Sequence, residues 1–199
     1  MKEKMNVGDM IKTGVILFVI TAVLAALLGF VNGKTAPIIE QNDLIKKQDA
    51  MRAVLPDAAD FTEAEMTDEI AALSGSDEIK EVYTALDESG EVVGACVITE
   101  TSGYDIGINT VTGIDAELSV SGVEITSMKE TPGLGAKASD KSFRDQYKGK
   151  KYEIGVSKTG ADDTSIAAIS GATKTSNGVT RGVNLALKTA EILLKGGNK

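Results

Sequence analysis

A chain of 199 residues has room for one domain of ordinary size plus an anchor or tail. It contains no histidine and one cysteine, which excludes a Cys/His zinc cluster, an intrachain disulfide, a His-based triad and an iron–sulfur cluster ligated by this chain alone. The net charge is −8 and no basic stripe is present, so the sequence argues against binding to nucleic acid.

The first predicted element is a membrane-spanning helix over residues 13–33. These 21 residues carry no charge, and at 1.5 Å per residue they can cross a hydrocarbon core about 30 Å thick. A cleaved signal peptide and a buried core helix are the alternatives, but the apolar run is long and continues past Ala25 and Ala26 without a cleavage site. Residues 1–12 have a net charge of +1, which places them in the cytoplasm and the main domain outside the cell membrane.

A second helix is predicted within residues 34–56. Thr35-Ala36-Pro37 suits the start of a helix, Leu44, Met51 and Leu55 mark one face, and Pro56 ends it. Two interpretations stay open, a stalk joining the anchor to the domain and a first helix packed on the domain. The acidic stretch Pro56–Ser76 is predicted as a surface connection with room for a short helix.

Residues 57–199 are predicted to form an α+β domain, an antiparallel sheet with one face packed against helices. Short β-rich segments separated by glycine-containing turns are typical of such a sheet, and they cover Ile79–Leu86, Glu91–Glu100, Ile106–Ile114 and Gly122–Met128. Cys96 lies in an apolar run and is expected to be buried. Further elements predicted are a helix over Ala138–Tyr147 and strands over Tyr152–Val156 and Ser165–Ile169.

Two glycine-containing blocks in the later half carry the signals for a ligand site. In Glu130–Gly135, proline and glycine predict a stiff turn with exposed N–H groups. In Ile169–Gly178, Thr173 precedes a predicted helix that Ser176 or Asn177 caps and Gly196 ends, so the helix dipole favours a phosphate there. From Ala53 to Met128 there are 17 acidic residues and one lysine, whereas 13 Lys and Arg residues follow, so an anionic cofactor is better tolerated in the later half.

These blocks resemble motifs of a known family. Ser170-Gly171-Ala172-Thr173 is similar to the flavin-attachment motif of FMN-binding domains in membrane electron-transfer complexes, and Glu130-Thr131-Pro132-Gly133-Leu134-Gly135 resembles a loop of the same family. The likeness covers nearly the whole chain and points to the G subunits of Rnf ferredoxin:NAD oxidoreductases, which are related to the C subunits of sodium-pumping NADH:quinone oxidoreductases.

The resemblance implies an electron-transfer subunit with covalent FMN, working with other subunits of an ion-translocating membrane complex. A dedicated transferase would link FMN by a phosphodiester to Thr173, with Ser170, Gly171, Ala172 and Thr175 shaping the phosphate turn. The flavin ring would be bordered by Glu130, Thr131, Gly133, Leu134 and Gly135, and flanked by Tyr104.

Two positions depart from the family pattern, because Ala167 stands where an aspartate is usual and Met128 where a histidine is frequent. They support an alternative, a membrane-anchored assembly module that binds FMN non-covalently or not at all. A hydrolase using Ser170 or Thr173 is disfavoured, since the chain has no histidine and no Ser-x-x-Lys pattern at Ser170.

Overall fold

The chain divides into two compact units, Met1–Ile45 and Lys46–Lys199. The computed structural model describes residues 7–75 and 78–196. The predictions for residues 1–6 and for Ser76 therefore lie outside the described residues.

Helix α1 runs from Val7 to Val54 without interruption. Its apolar side chains between Val15 and Val31 are largely exposed, and among the described residues it is the one helix long and apolar enough to cross a membrane. The predicted start of a second helix at Thr35–Pro37 is wrong, because Pro37 lies inside α1. A proline costs one backbone hydrogen bond there, but helix-forming residues on both sides continue the helix past it. The predicted end before Pro56 is confirmed.

A five-stranded antiparallel sheet forms the centre of the second unit. Its strands are hydrogen-bonded in chain order and comprise β1 (Asp60–Glu63), β2 (Glu78–Leu86), β3 (Val92–Ser102), β4 (Ile106–Asp115) and β5 (Val120–Ser127). The predicted antiparallel sheet is confirmed, and β2 to β5 end within two residues of the predicted limits. Strand β1 was not predicted, because its side chains are mostly exposed and show no apolar alternation. It pairs with β2 at the sheet edge.

Helix α4 (Thr173–Gly196) covers one face of the sheet along β3 and β4. Its buried side chains include Val179, Val183 and Leu187. Gly178 allows close approach, since a Cβ there would lie 2.7 Å from the carbonyl oxygen of Ser102. The helix begins at Thr173, so the predicted caps at Ser176 and Asn177 are wrong.

The opposite face of the sheet packs against the last turns of α1. Ala50, Met51, Val54 and Leu55 are buried in a cluster that includes Cys96. The interpretation of this segment as a helix packed on the domain therefore holds for residues 50–54, and Leu55 directly after the helix joins the same cluster. The prediction that helices cover one face of the sheet is therefore incomplete, because α4 covers one face and the end of α1 packs on the other.

Short elements connect β5 to α4. The predicted helix over Ala138–Tyr147 is wrong as a single element, because the extended backbone of Asp140 interrupts it. In its place are a 3₁₀ turn (Gly135–Ser139), α3 (Lys141–Arg144) and a second 3₁₀ turn (Asp145–Tyr147). A parallel pair follows, β6 (Gly155–Ser157) and β7 (Ser165–Ala167), near the predicted strands. Helix α2 (Asp68–Ala71) confirms the short helix expected before β2.

Four buried threonines on β3 and β4 face α4. The hydroxyls of Thr99, Thr101, Thr110 and Thr112 have no hydrogen-bond partner among the described residues. An unsatisfied buried hydroxyl disfavours the folded state, so Thr110→Val, which keeps the side-chain shape, should raise the free energy of unfolding by about 1 kcal/mol. Urea unfolding of the full chain in detergent measures this, with the exposed Thr62→Val as control. Destabilisation by Thr110→Val would show that its hydroxyl is bonded, for instance to a buried water.

Cys96 is expected to be unreactive while the protein is folded. Its side chain is fully buried, and burial, aided by the charge of Glu81, raises the pKa of its thiol to about 12. At pH 8 such a thiol is ionised in roughly one molecule in ten thousand, and the thiolate is the reactive form. Iodoacetamide should leave the native chain unmodified and add one group after denaturation, as mass spectrometry would show. Rapid labelling of the native chain would contradict this.

Candidate functional site

A pocket of about 550 Å³ lies between the two glycine-containing turns that the sequence singles out. One wall is the turn after β5, and the other is the turn that leads into α4. The pocket is lined by Tyr104, Glu130, Thr131, Leu134, Gly135, Gly171, Ala172, Thr173, Lys174 and Thr175. Its volume falls within the range of small-molecule and cofactor sites.

The buried carboxylate of Glu130 ties three parts of the chain together at this pocket. Its Oε1 accepts hydrogen bonds from the backbone N–H groups of Tyr104 (2.9 Å) and Asp105 (3.2 Å). Its Oε2 accepts a bond of 2.8 Å from the hydroxyl of Thr175, a residue in the first turn of α4. Glu130 is 8 % exposed, so both carboxylate oxygens are satisfied by the protein with little help from solvent. The loop before β4, the turn after β5 and helix α4 are thereby held in one arrangement.

Thr173 is the first residue of α4 and is half-buried at the pocket. The N–H groups in the first turn of a helix have no intrahelical acceptor, and together with the helix dipole they favour an anion. Among the described residues, the hydroxyl of Thr173 has no hydrogen-bond partner. The N-terminal end of this helix, with Thr173 and its backbone donors, therefore lines the same pocket.

Gly171 allows the backbone conformation of the turn before α4. Its φ of +77° lies in the left-handed region, where a side chain would be strained, and a Cβ would lie 3.3 Å from Cδ2 of Leu134. The hydroxyl of Ser176 accepts the N–H of Ile169 (3.0 Å) and donates to the carbonyl of Ala172 (3.1 Å). Ser176 thus stabilises this turn from inside the helix.

Exposed side chains form the rim of the pocket. Leu134 is 46 % exposed and Tyr104 is 78 % exposed. The ammonium nitrogen of Lys174 lies 5.6 Å from the centroid of the Tyr104 ring, a cation–π distance. Apolar surface, an aromatic ring and a positive charge therefore meet at the pocket mouth.

The structure brings together nine of the eleven residues singled out in the sequence analysis. Ser170 and Gly133 lie in the same two turns but do not line the pocket. The hydroxyl of Thr175 is engaged by Glu130. Lys174 was missed, although its position directly after Thr173 was a signal that could have identified it.

The two departures from the family pattern lie outside the pocket lining. Ala167 ends β7, and its N–H donates to Oε1 of Gln146 at 2.7 Å. Met128 is half-buried and packs against the core under α4. The pocket walls are therefore formed without an acidic side chain at position 167 or an imidazole at position 128.

Comparison with sequence families gives two matches. The FMN-binding domain family matches residues 103–188, a range that includes every residue lining the pocket. The RnfG N-terminal region matches residues 1–54.

The chain is also similar to individual proteins along nearly its whole length. It is 41% identical to the G subunit of the Na(+)-translocating ferredoxin:NAD(+) oxidoreductase complex of Acetobacterium woodii, over 98% of this chain and 99% of that one. It is 29% identical to the G subunit of the proton-translocating ferredoxin:NAD(+) oxidoreductase complex of Clostridium ljungdahlii, over 94% and 93%. The crystal structure of Shewanella oneidensis NqrC has the same fold, with a TM-score of 0.51, 23% identity and coverage of 71% of this chain and 73% of that one.

Proposed function

The chain belongs to the RnfG family, the G subunits of ion-translocating ferredoxin:NAD(+) oxidoreductase complexes, and we propose that it carries electrons within such a complex through FMN linked to Thr173. One observation carries this proposal beyond family membership. The two motifs, about 40 residues apart in sequence, form a single pocket with Thr173 in its wall.

The residues present fit FMN. The phosphate would be held at the N-terminus of α4, where the first-turn N–H groups and the helix dipole favour an anion. Leu134 and Tyr104 offer apolar and aromatic surface to a ring, and Lys174 offers a positive charge. The donors that bond both oxygens of Glu130 partly offset its negative charge within the pocket lining.

Bound FMN would supply the electron acceptor and donor that no side chain of this sequence can provide. The proposed bond joins Oγ1 of Thr173 to the phosphorus of FMN. It would form as the bond from that phosphorus to the oxygen of the adenosine monophosphate part of FAD breaks, with adenosine monophosphate and the hydroxyl proton of the threonine released. The chain's own role is to present this hydroxyl and then hold the phosphate and ring.

We further propose that residues 13–33 cross the cell membrane with residues 1–12 in the cytoplasm. Residues 34–56 would then lead to an extracytoplasmic FMN-binding domain over 57–199. The exposed apolar surface of α1 and the flanking charge support this arrangement. A covalent bond would prevent loss of the cofactor from a domain in that compartment.

The alternative is an assembly module that binds FMN loosely or lacks it. The alanine at position 167 favours this alternative, since the family usually has an aspartate there, six residues before the attachment threonine. The two proposals differ in whether flavin stays bound to the denatured chain.

Denaturing electrophoresis of the wild-type chain, produced together with a flavin transferase, separates these possibilities. The proposed function predicts flavin fluorescence in the denatured band, because only a covalent cofactor stays with an unfolded chain. A dark band from a yellow native protein would indicate non-covalent FMN. A dark band from a colourless protein would indicate an assembly module without FMN.

A further inference from the structure

The pocket lining contains one negatively and one positively charged side chain, and the two differ in their polar partners. Glu130 is buried and accepts three hydrogen bonds. Lys174 is exposed to solvent, and among the described residues its ammonium forms no ion pair. The ammonium of Lys174 contacts the face of the Tyr104 ring.

The helix that carries Lys174 does not favour a cation at this position. Lys174 lies in the first turn of α4, where the helix dipole favours negative rather than positive side chains. The helix dipole therefore disfavours this cation, which lies at the entrance to a pocket suited to an anion.

We propose that Lys174 raises the redox potential of the flavin held in this pocket. This inference rests on the proposed function. Uptake of two electrons with one proton adds one negative charge to a flavin, and a nearby cation stabilises that charged, reduced form relative to the oxidised one. In the assay the electrons come from dithionite, which is oxidised.

The expected size of the effect rests on Lys174 lining the pocket that a flavin would fill. At a separation comparable with the 5.6 Å between the Lys174 ammonium and the Tyr104 ring, a partly screened charge pair changes an equilibrium constant by about tenfold. The acidic residues before position 128 disfavour added negative charge on the flavin, and the positive charge of Lys174 has the opposite effect.

The test compares the midpoint potential of covalently loaded wild type with that of Lys174→Met, Lys174→Arg and Lys137→Met. Lys137 is exposed in the neighbouring 3₁₀ turn but does not line the pocket, so Lys137→Met removes the same charge nearby. We expect Lys174→Met to make reduction about tenfold less favourable, a fall of about 30 mV for a two-electron couple. Lys174→Arg and Lys137→Met should stay close to wild type, and the shift should shrink at high salt.

Equal potentials for wild type and Lys174→Met, or equal shifts for Lys174→Met and Lys137→Met, would overturn the inference. Only loaded chains absorb in the flavin bands after denaturing desalting and refolding, so partial loading does not disturb the titration. Loss of all flavin from Lys174→Met alone would overturn it too, because Lys174 would then act in attachment. Absence of flavin from the wild type would instead contradict the proposed function.

Discussion

Thr173→Ala is expected to abolish covalent flavin while leaving the domain folded. The substitution removes the oxygen that would bond to phosphorus, and no neighbouring residue can supply it at the same place on α4. The fold should tolerate the change, since the Thr173 hydroxyl has no hydrogen-bond partner among the described residues and alanine is a strong helix former. The free energy of unfolding should change by less than about 1 kcal/mol.

Intact-mass spectrometry after production with a flavin transferase measures this directly. Wild type should gain the mass of one FMN less one water, and Thr173→Ala should have the mass of the bare chain. Thr173→Ser is the matched control, because it keeps a hydroxyl on the same backbone atom and should retain some flavin. Full flavin on Thr173→Ala would show that another residue is the attachment site.

Glu130→Ala is expected to damage both the stability of the domain and its capacity for flavin. It removes the acceptor for the N–H groups of Tyr104 and Asp105 and for the hydroxyl of Thr175. Hydrogen bonds to charged groups contribute about 1.5–3 kcal/mol, so we expect a loss of about 2–4 kcal/mol in the free energy of unfolding. The two walls of the pocket would no longer be tied together, and flavin loading should fall several-fold.

Urea unfolding and flavin content of the same preparations test this expectation. Glu130→Gln keeps the size of the side chain and one acceptor oxygen, so its effects should be smaller than those of Glu130→Ala. Glu88→Ala, in the exposed turn between β2 and β3, is the control for loss of a carboxylate. A Glu130→Ala chain as stable and as well loaded as wild type would mean that the Glu130 contacts do not maintain the pocket.

The sheet could be predicted because its signals are local. Strands β2 to β5 combine β-branched residues with glycine-containing turns such as Asp87–Gly90, where Gly90 has a φ of +82°. The continuation of α1 through Pro37 was not predictable in the same way. Proline favours the first turn of a helix, yet this one is tolerated inside a long helix. The break at Asp140 was missed, although aspartate is a common N-cap residue and Asp140 stands, with extended backbone, directly before α3.

The site was found in the sequence through motif resemblance rather than through physical derivation. Glycine, proline and threonine in the two blocks predict turns and a phosphate-binding helix end, but not that the blocks meet. The bond from Thr175 to Glu130 spans 45 residues, and it depends on the sheet placing the end of β5 beside the start of α4. Lys174 was missed for a related reason, because the sequence places it on a helix without showing that its side chain reaches Tyr104.

Attachment of FMN to Thr173 is tested most directly by tandem mass spectrometry of the tryptic peptide that spans residues 159–174. Cleavage after Lys158 and Lys174 isolates it, and it contains the competing hydroxyls of Thr159, Thr164, Ser165 and Ser170 beside Thr173. We expect one FMN group whose fragment ions locate it on Thr173. Flavin on another hydroxyl, or an unmodified peptide from a chain produced with an active flavin transferase, would contradict it.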